Sequence, residues 1–197
     1  MRRVIVSEWM SLDGVVQAPG AADEDRTSGF DYGGWHLRHF DDRSRAWWVE
    51  GLADAGGFLF GRRTYEALAS YWPNAPAEEQ PVAEPLNTRP KYVASTTLTE
   101  PLAWDNATLL DGDVPTAVDK LKADPGSDLI VLGSTKLVET LLEHDLVDAF
   151  RLMIDPVLLG GGKRAFVDDG TLRSLRLAHG EVTTTGAVLA IYTLADS

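Results

Sequence analysis

The residues best suited to chemistry lie where an apolar run meets a glycine. In Phe58-Leu59-Phe60-Gly61-Arg62-Arg63-Thr64, a buried-strand pattern ends at Gly61 and a helix pattern begins at once. The first amides of a helix have no intrahelical partner, and the helix dipole adds positive character there. Arg62 and Arg63 bring two full charges to the same turn. Leu129-Ile130-Val131-Leu132-Gly133-Ser134-Thr135 repeats the arrangement, with Ser134 and Thr135 able to cap the helix or donate to an anion. Two such seats in one sheet suit a ligand with separated phosphates, a dinucleotide above all, bound outside the carboxyl ends of the strands. The plainer reading is two glycine turns, with the arginines paired to acids. Neither string is a Walker A loop or G-x-G-x-x-G. Gly160-Gly161-Gly162-Lys163-Arg164 follows a strand and a proline without entering a helix, and reads as a glycine-rich turn.

Other constellations say less. Asp13, in Ser11-Leu12-Asp13-Gly14, reads by itself as a turn residue. His36 and His39 stand three apart with Asp41 and Asp42 nearby, but a partly exposed structural pair is the expected reading and no metal site is expected. No G-x-S-x-G elbow marks a nucleophilic serine. The absence of cysteine removes thiol nucleophiles, Fe–S clusters and thiolate zinc. Of six tryptophans, most read as core, while Trp9 and Trp35 flank the first long loop and are candidates to line the pocket of a flat aromatic substrate.

The elements that must position these groups alternate. Strands are predicted at Val4–Met10, Phe58–Phe60, Lys91–Ala94, Ala107–Leu110, Asp128–Leu132 and Ala149–Ile154. Helices are predicted at Asp41–Asp54, Thr64–Ser70, Asp113–Ala123 and Thr135–Glu143. An antiparallel pair, Leu175–Glu181 with Ala187–Leu194, closes the series around Thr184-Thr185-Gly186. The segment from Gln17 to about Gly34 is a long loop of the kind that serves as a lid or binding loop. The proline-rich stretch Asn74–Pro90 reads as a surface connection. This order predicts an α/β fold of three layers, α/β/α, on a mixed, mainly parallel sheet with antiparallel C-terminal strands. The 197 residues are expected to form a single domain.

Composition narrows the partners. Lys plus Arg number 18 against 30 Asp plus Glu, a formal charge of −12, so nucleic acid and anionic membranes are repelled at long range. Glu8 and Asp13 interrupt any signal-peptide core after Met-Arg-Arg, and no apolar run approaches the ~18 residues of a membrane span. A cytoplasmic protein is expected.

Together, Ser11-Leu12-Asp13-Gly14, Gly61-Arg62-Arg63-Thr64-Tyr65-Glu66, Lys91-Tyr92-Val93-Ala94-Ser95, Leu132-Gly133-Ser134 and Pro156-Val157-Leu158-Leu159-Gly160-Gly161-Gly162 form an ordered set spanning nearly the whole chain. In this set the chain resembles the dihydrofolate-reductase-like superfamily, and within it the C-terminal reductase domain of the riboflavin-biosynthesis deaminase–reductase, as a stand-alone member. The zinc deaminase partner is not expected in a chain without cysteine. The resemblance implies an NADPH-dependent reductase that passes a hydride to a small heterocyclic or hydroxylated substrate. It implies that Gly61, Arg62, Arg63 and Thr64 hold the adenosine-side phosphates and that Ser95 and Thr96 lie near the ribose and its 2′-phosphate. Gly133, Ser134, Thr135 and Leu137 would serve the pyrophosphate and nicotinamide side. Asp13 would meet the substrate, with Trp9 and Trp35 beside it, and Asp13 or a water is the candidate catalytic proton donor. Asp148-Ala149 departs from the acidic pair common in the family, so the riboflavin-pathway substrate does not carry over directly. A homodimer is implied. The alternatives are an NADP(H)-binding sensory or regulatory protein without turnover, and direct dihydrofolate reduction.

Overall fold

The structure is a computed structural model that describes residues 1–166 and 168–195. Its eight strands are β1 Val4–Ser11, β2 Gly57–Gly61, β3 Lys91–Ala94, β4 Ala107–Leu109, β5 Leu129–Leu132, β6 Ala149–Asp155, β7 Leu175–Val182 and β8 Val188–Leu194. Five α-helices intervene: α1 Asp42–Ala53, α2 Arg62–Tyr71, α3 Gln80–Thr88, α4 Val114–Ala123 and α5 Thr135–Glu143. The strands form one mixed sheet in the order β4-β3-β2-β5-β1-β6-β8-β7. The pairs β4–β3, β3–β2 and β2–β5 are parallel, whereas β6–β8 and β7–β8 are antiparallel. This is the α/β architecture the sequence predicts. No helix of the described residues is long and apolar enough to cross a membrane.

The chain, read as one domain from its length, divides into two compact units. The first comprises Met1–Val6 and Trp48–Asp148; the second comprises Ser7–Trp47 and Ala149–Ser197.

The first unit is built on β2, β3 and β5. Phe58, Phe60 and Val93 are sealed in a core with Leu52, Leu86 and Trp104. The continuous apolar runs of these strands suit a sheet covered on both faces. One expectation fails here: Asn74–Pro90 is not a surface connection, because it contains α3. Pro81 occupies the first turn, where its missing N–H costs nothing, and Val82, Ala83, Pro85 and Leu86 are buried. Pro85 removes one helical bond, which the packing of this apolar stripe offsets. Lys91 then satisfies the end of the helix. Its buried Nζ donates to the carbonyls of Leu86 (2.8 Å), Asn87 (3.2 Å) and Arg89 (3.0 Å), above the Trp104 ring.

The second unit holds the loop after β1, which carries a short 3-10 helix at Trp35–Arg38, and the antiparallel strands. Trp47, Met153, Ala187 and Leu189 form one apolar cluster; Val15, Ala18, Phe30 and Trp35 form another beneath the loop. Asp41 ties the unit together. Its Oδ1 accepts from the Ser44 amide (2.9 Å) at the start of α1, and its Oδ2 accepts from the Thr184 amide (3.0 Å) in the β7–β8 turn.

Candidate functional site

In the first unit, parallel pairing brings three strand ends side by side. Gly61 of β2 is in register with Ala94 of β3, and Leu59 of β2 with Val131 of β5. The carboxyl ends of these strands therefore emerge at one edge as Gly61-Arg62-Arg63-Thr64, Ser95-Thr96 and Gly133-Ser134-Thr135. The two strings singled out for phosphate chemistry are thus neighbours, and they touch: the Gly61 amide donates to Ser134 Oγ at 2.9 Å.

That contact corrects one expectation. Ser134 does not cap α5; its Oγ accepts from Gly61 and donates to the Leu132 carbonyl at 3.1 Å. Gly133 (φ 53°) and Ser134 (φ 65°) are both left-handed, a costly conformation for serine that its two hydrogen bonds help to hold. A Cβ on Gly133 would stand 3.4 Å from Thr64 Oγ1, so the turn is both strained and close-packed.

Neither helix start is closed by its N-cap side chain: Gly61 has none, and Ser134 is engaged elsewhere. The first amides of α2 and those of Thr135 and Lys136 in α5 are left as donors toward the open strand edge. Arg62 pairs with Glu66 at 3.0 Å along α2, as the plainer reading expects. Arg63 is exposed and has no carboxylate within ion-pair distance among the described residues. Ser95 Oγ accepts from the amides of Thr97 (3.2 Å) and Leu98 (3.0 Å), holding its turn, while Thr96 is exposed. Leu137 has a buried side chain, and its amide donates to the Ser134 carbonyl at 2.7 Å. It holds the turn and offers a ligand neither group. Uncapped amides, an unpaired arginine and a glycine turn form a donor set that fits the two phosphate groups of a dinucleotide.

In the second unit, Asp13 is a fully engaged acceptor. Its Oδ1 accepts from Ser11 Oγ (2.7 Å) and the Leu159 amide (3.1 Å), and its Oδ2 accepts from the Gly160 amide (2.9 Å). The hydroxyl of Ser11 and these amides hold its pKa down, to about 2. At neutral pH it is a carboxylate that pins the glycine-rich turn and has no proton to give. Gln17 and Lys163 continue the same clasp: Gln17 Oε1 accepts from the Lys163 amide at 3.0 Å, and Lys163 Nζ pairs with Asp25.

Trp35 and Trp9 take different positions. Trp35 lines a cleft of about 440 Å³ with Tyr32, Arg38, His39 and Leu158. Its indole N–H donates to the Gln17 carbonyl at 2.8 Å, so only its ring remains for a ligand. Trp9 stacks on His36 with centroids 4.2 Å apart.

His36 and His39 do not form the partly exposed pair expected. His36 is fully buried, its Nδ1 lies 2.7 Å from Asp155 Oδ2, and no metal-binding cluster occurs among the described residues. The short helix at Trp35–Arg38 turns His36 inward, an arrangement that histidine spacing alone does not reveal.

Among the described residues, His36 Nε2, Asp155 Oδ1 and Glu8 Oε1 are buried without a hydrogen-bond partner, and neither Asp155 nor Glu8 stands out as such in the sequence. Glu8 had a signal: it shares the parity of Val4, Val6 and Met10, the buried face of β1. In the sequence alone it shows only as a charge that breaks an apolar run.

Comparisons with known proteins agree with this architecture. The RibD C-terminal domain family matches residues 2–190. The uncharacterized protein YyaP of Bacillus subtilis (strain 168) is 28% identical over 194 residues, 97% of this chain and 94% of that protein. A putative riboflavin biosynthesis protein from Shewanella sp. PV-4 shares the fold with a TM-score of 0.69 at 20% identity, covering 98% of this chain and 99% of that one. A pyrimidine reductase-like protein from Corynebacterium diphtheriae does so with a TM-score of 0.68 at 11% identity, covering 100% and 93%. With the parallel strand ends, the glycine turns and a match over nearly its whole length, the chain belongs to the RibD C-terminal domain family and has its dihydrofolate-reductase-like fold.

Proposed function

We propose that the protein is an NADPH-dependent reductase acting on a small heterocyclic or hydroxylated substrate. The observation that carries this reading is the pair of uncapped helix starts, α2 and α5, on adjacent parallel strands with Arg63 unpaired beside them. In this reading the amides of Arg62, Arg63 and Thr64 hold one phosphate and those at Thr135 and Lys136 hold the other. Gly61 and Gly133 let the backbone approach, and Ser134 fixes the turn. Arg63, with the hydroxyls of Ser95 and Thr96, recognises the 2′-phosphate that distinguishes NADPH from NADH. When bound, the nicotinamide supplies the hydride; the protein supplies position and charge.

Substrate recognition is assigned to the second unit. The cleft beside Trp35 and Tyr32 offers aromatic surface, and Asp13 acts by pinning the Leu159-Gly160 turn that borders it. Calorimetric titration with NADPH and NADH tests the reading. Submillimolar binding, tighter for NADPH, is expected; no binding of either nucleotide removes it.

A further inference from the structure

A strand with one packed and one solvated face normally turns its polar side chains to water. On β7 this is reversed. Its polar side chains face the protein: His179 stacks on Trp47 of α1 with centroids 5.5 Å apart, and Glu181 pairs with Arg43. Its apolar side chains face outward. In the antiparallel register, Leu175, Leu177 and Val182 stand opposite Leu194, Tyr192 and Val188 of β8, and opposed residues share a face. A bulge between Leu177 and His179 returns Val182 to the face of the two leucines. Gly180 lies opposite Ala190, so no polar side chain interrupts these rows. The surface continues on β6 at Phe150, opposite Tyr192, and Phe166 packs edge-on against Phe150 at 5.4 Å.

This face is open. Leu175, Leu177, Val182 and Val188 are 41%, 54%, 70% and 38% exposed, and β7 is the last strand of the sheet. A contiguous apolar surface left to water marks an interaction site, whereas apolar residues scattered singly do not.

We propose that a second copy of this chain packs on this face, hairpin against hairpin about a two-fold axis. The proposal is independent of the reductase reading. Charge selects the partner. Each chain carries a formal −12, so two copies repel through most of their surfaces. The rows on β6, β7 and β8 bring no charged side chain to this face, so two copies meet there without burying a charge or opposing like charges. A two-fold contact uses one surface twice and needs a surface that complements itself, which an uncharged apolar face does. A partner with a charged surface finds nothing here to pair with. The free edge of β7 is a poorer contact, because its bulge breaks the ladder that strand addition requires. The copies therefore meet face to face, as two packed sheets do. For strands of eight and seven residues, ~3.3 Å per residue and ~4.8 Å between strands give a face about 26 Å by 14 Å over β6–β8–β7. That lies toward the lower end of interface sizes, so a dissociation constant of about 1–100 µM is expected.

Sedimentation velocity on the full chain, from about 1 to about 200 µM, tests this. The wild type is expected to pass from monomer to dimer across that range. Val182→Lys and Leu177→Lys each place a charge at an exposed position, so thermal denaturation should show the fold retained while association weakens about 100-fold. Lysine also lowers the net negative charge, so a general change in repulsion would act in the opposite direction. Leu177→Ser removes apolar area without adding charge and should weaken association about tenfold; it decides the matter if a lysine variant fails to fold. A wild type that stays monomeric at the highest concentration overturns the proposal and leaves the face to a different protein. Oligomers that grow past a dimer indicate edge addition and overturn it as well. So does a dimer that the folded variants leave intact.

Discussion

The two compact units leave different polar groups unspent. In the first, the described buried side-chain nitrogens and oxygens all have partners; buried Lys91 donates to three carbonyls, and buried Lys122 donates to the Leu146 carbonyl and to Asp148 at 2.6 Å. Its unused donors are backbone amides at two helix starts, at an open strand edge. In the second unit the unused atoms are sealed inside, and among the described residues they include Glu8 Oε1, His36 Nε2, Asp155 Oδ1 and Thr193 Oγ1. Backbone donors at a surface edge cost little until a ligand arrives, because water serves them. Buried side-chain atoms cost stability at all times. In the reading proposed above, the first unit's free amides receive a phosphate-bearing ligand from solvent, whereas the second unit's unpartnered atoms are a standing cost to stability.

The contrast breaks most sharply at His36 and Asp155. Replacing Asp155 with Ala leaves the His36 ring buried with both nitrogens unpaired, and is expected to cost about 3 kcal/mol in urea denaturation. A loss under about 1 kcal/mol would show that the pair is dispensable to the unit.

Asp41→Ala removes the α1 cap and the Thr184 clasp together, for about 1–2 kcal/mol. Thr184, Ser44 and their amides hold the Asp41 carboxyl well below its usual range. Its contribution is thus present above the ordinary carboxylate pKa and is lost as pH falls through the depressed one. The gap between wild type and Asp41→Ala should narrow in acid, as read by thermal denaturation at a series of pH values.

In the first unit, Arg63→Ala should weaken NADPH binding about tenfold while leaving the melting temperature unchanged, because its exposed charge has no carboxylate partner among the described residues. Arg62→Ala should have the smaller effect, since Arg62 already pairs with Glu66. Calorimetry at two salt concentrations separates them, and a larger loss for Arg62 would reverse the assignment of the phosphate contact.

How much of this was legible in the sequence follows from the range of the signals. Strand and helix alternation was legible because apolar runs and glycine stops are local. The two strand-to-helix glycine turns were legible for the same reason, one after Phe58-Leu59-Phe60 and the other after Leu129-Ile130-Val131. Helix α3 was hidden by its prolines, whose cost is repaid only by burying Val82 and Leu86. The side chain of Ser134 was expected on its own helix, but the decisive partner, the Gly61 amide, is 73 residues away. His36 was misread because its partner Asp155 is 119 residues away. Glu8 passed unnoticed because a single charge in an apolar strand looks the same whether it faces water or the interior.

If the uncapped starts of α2 and α5 receive a dinucleotide, their amides must respond to it directly. Backbone amide chemical shifts measured by ¹H–¹⁵N NMR as NADPH is added to the full chain should move most at Arg62, Arg63, Thr64, Thr135 and Lys136. Saturable binding that leaves those five amides unmoved would contradict it.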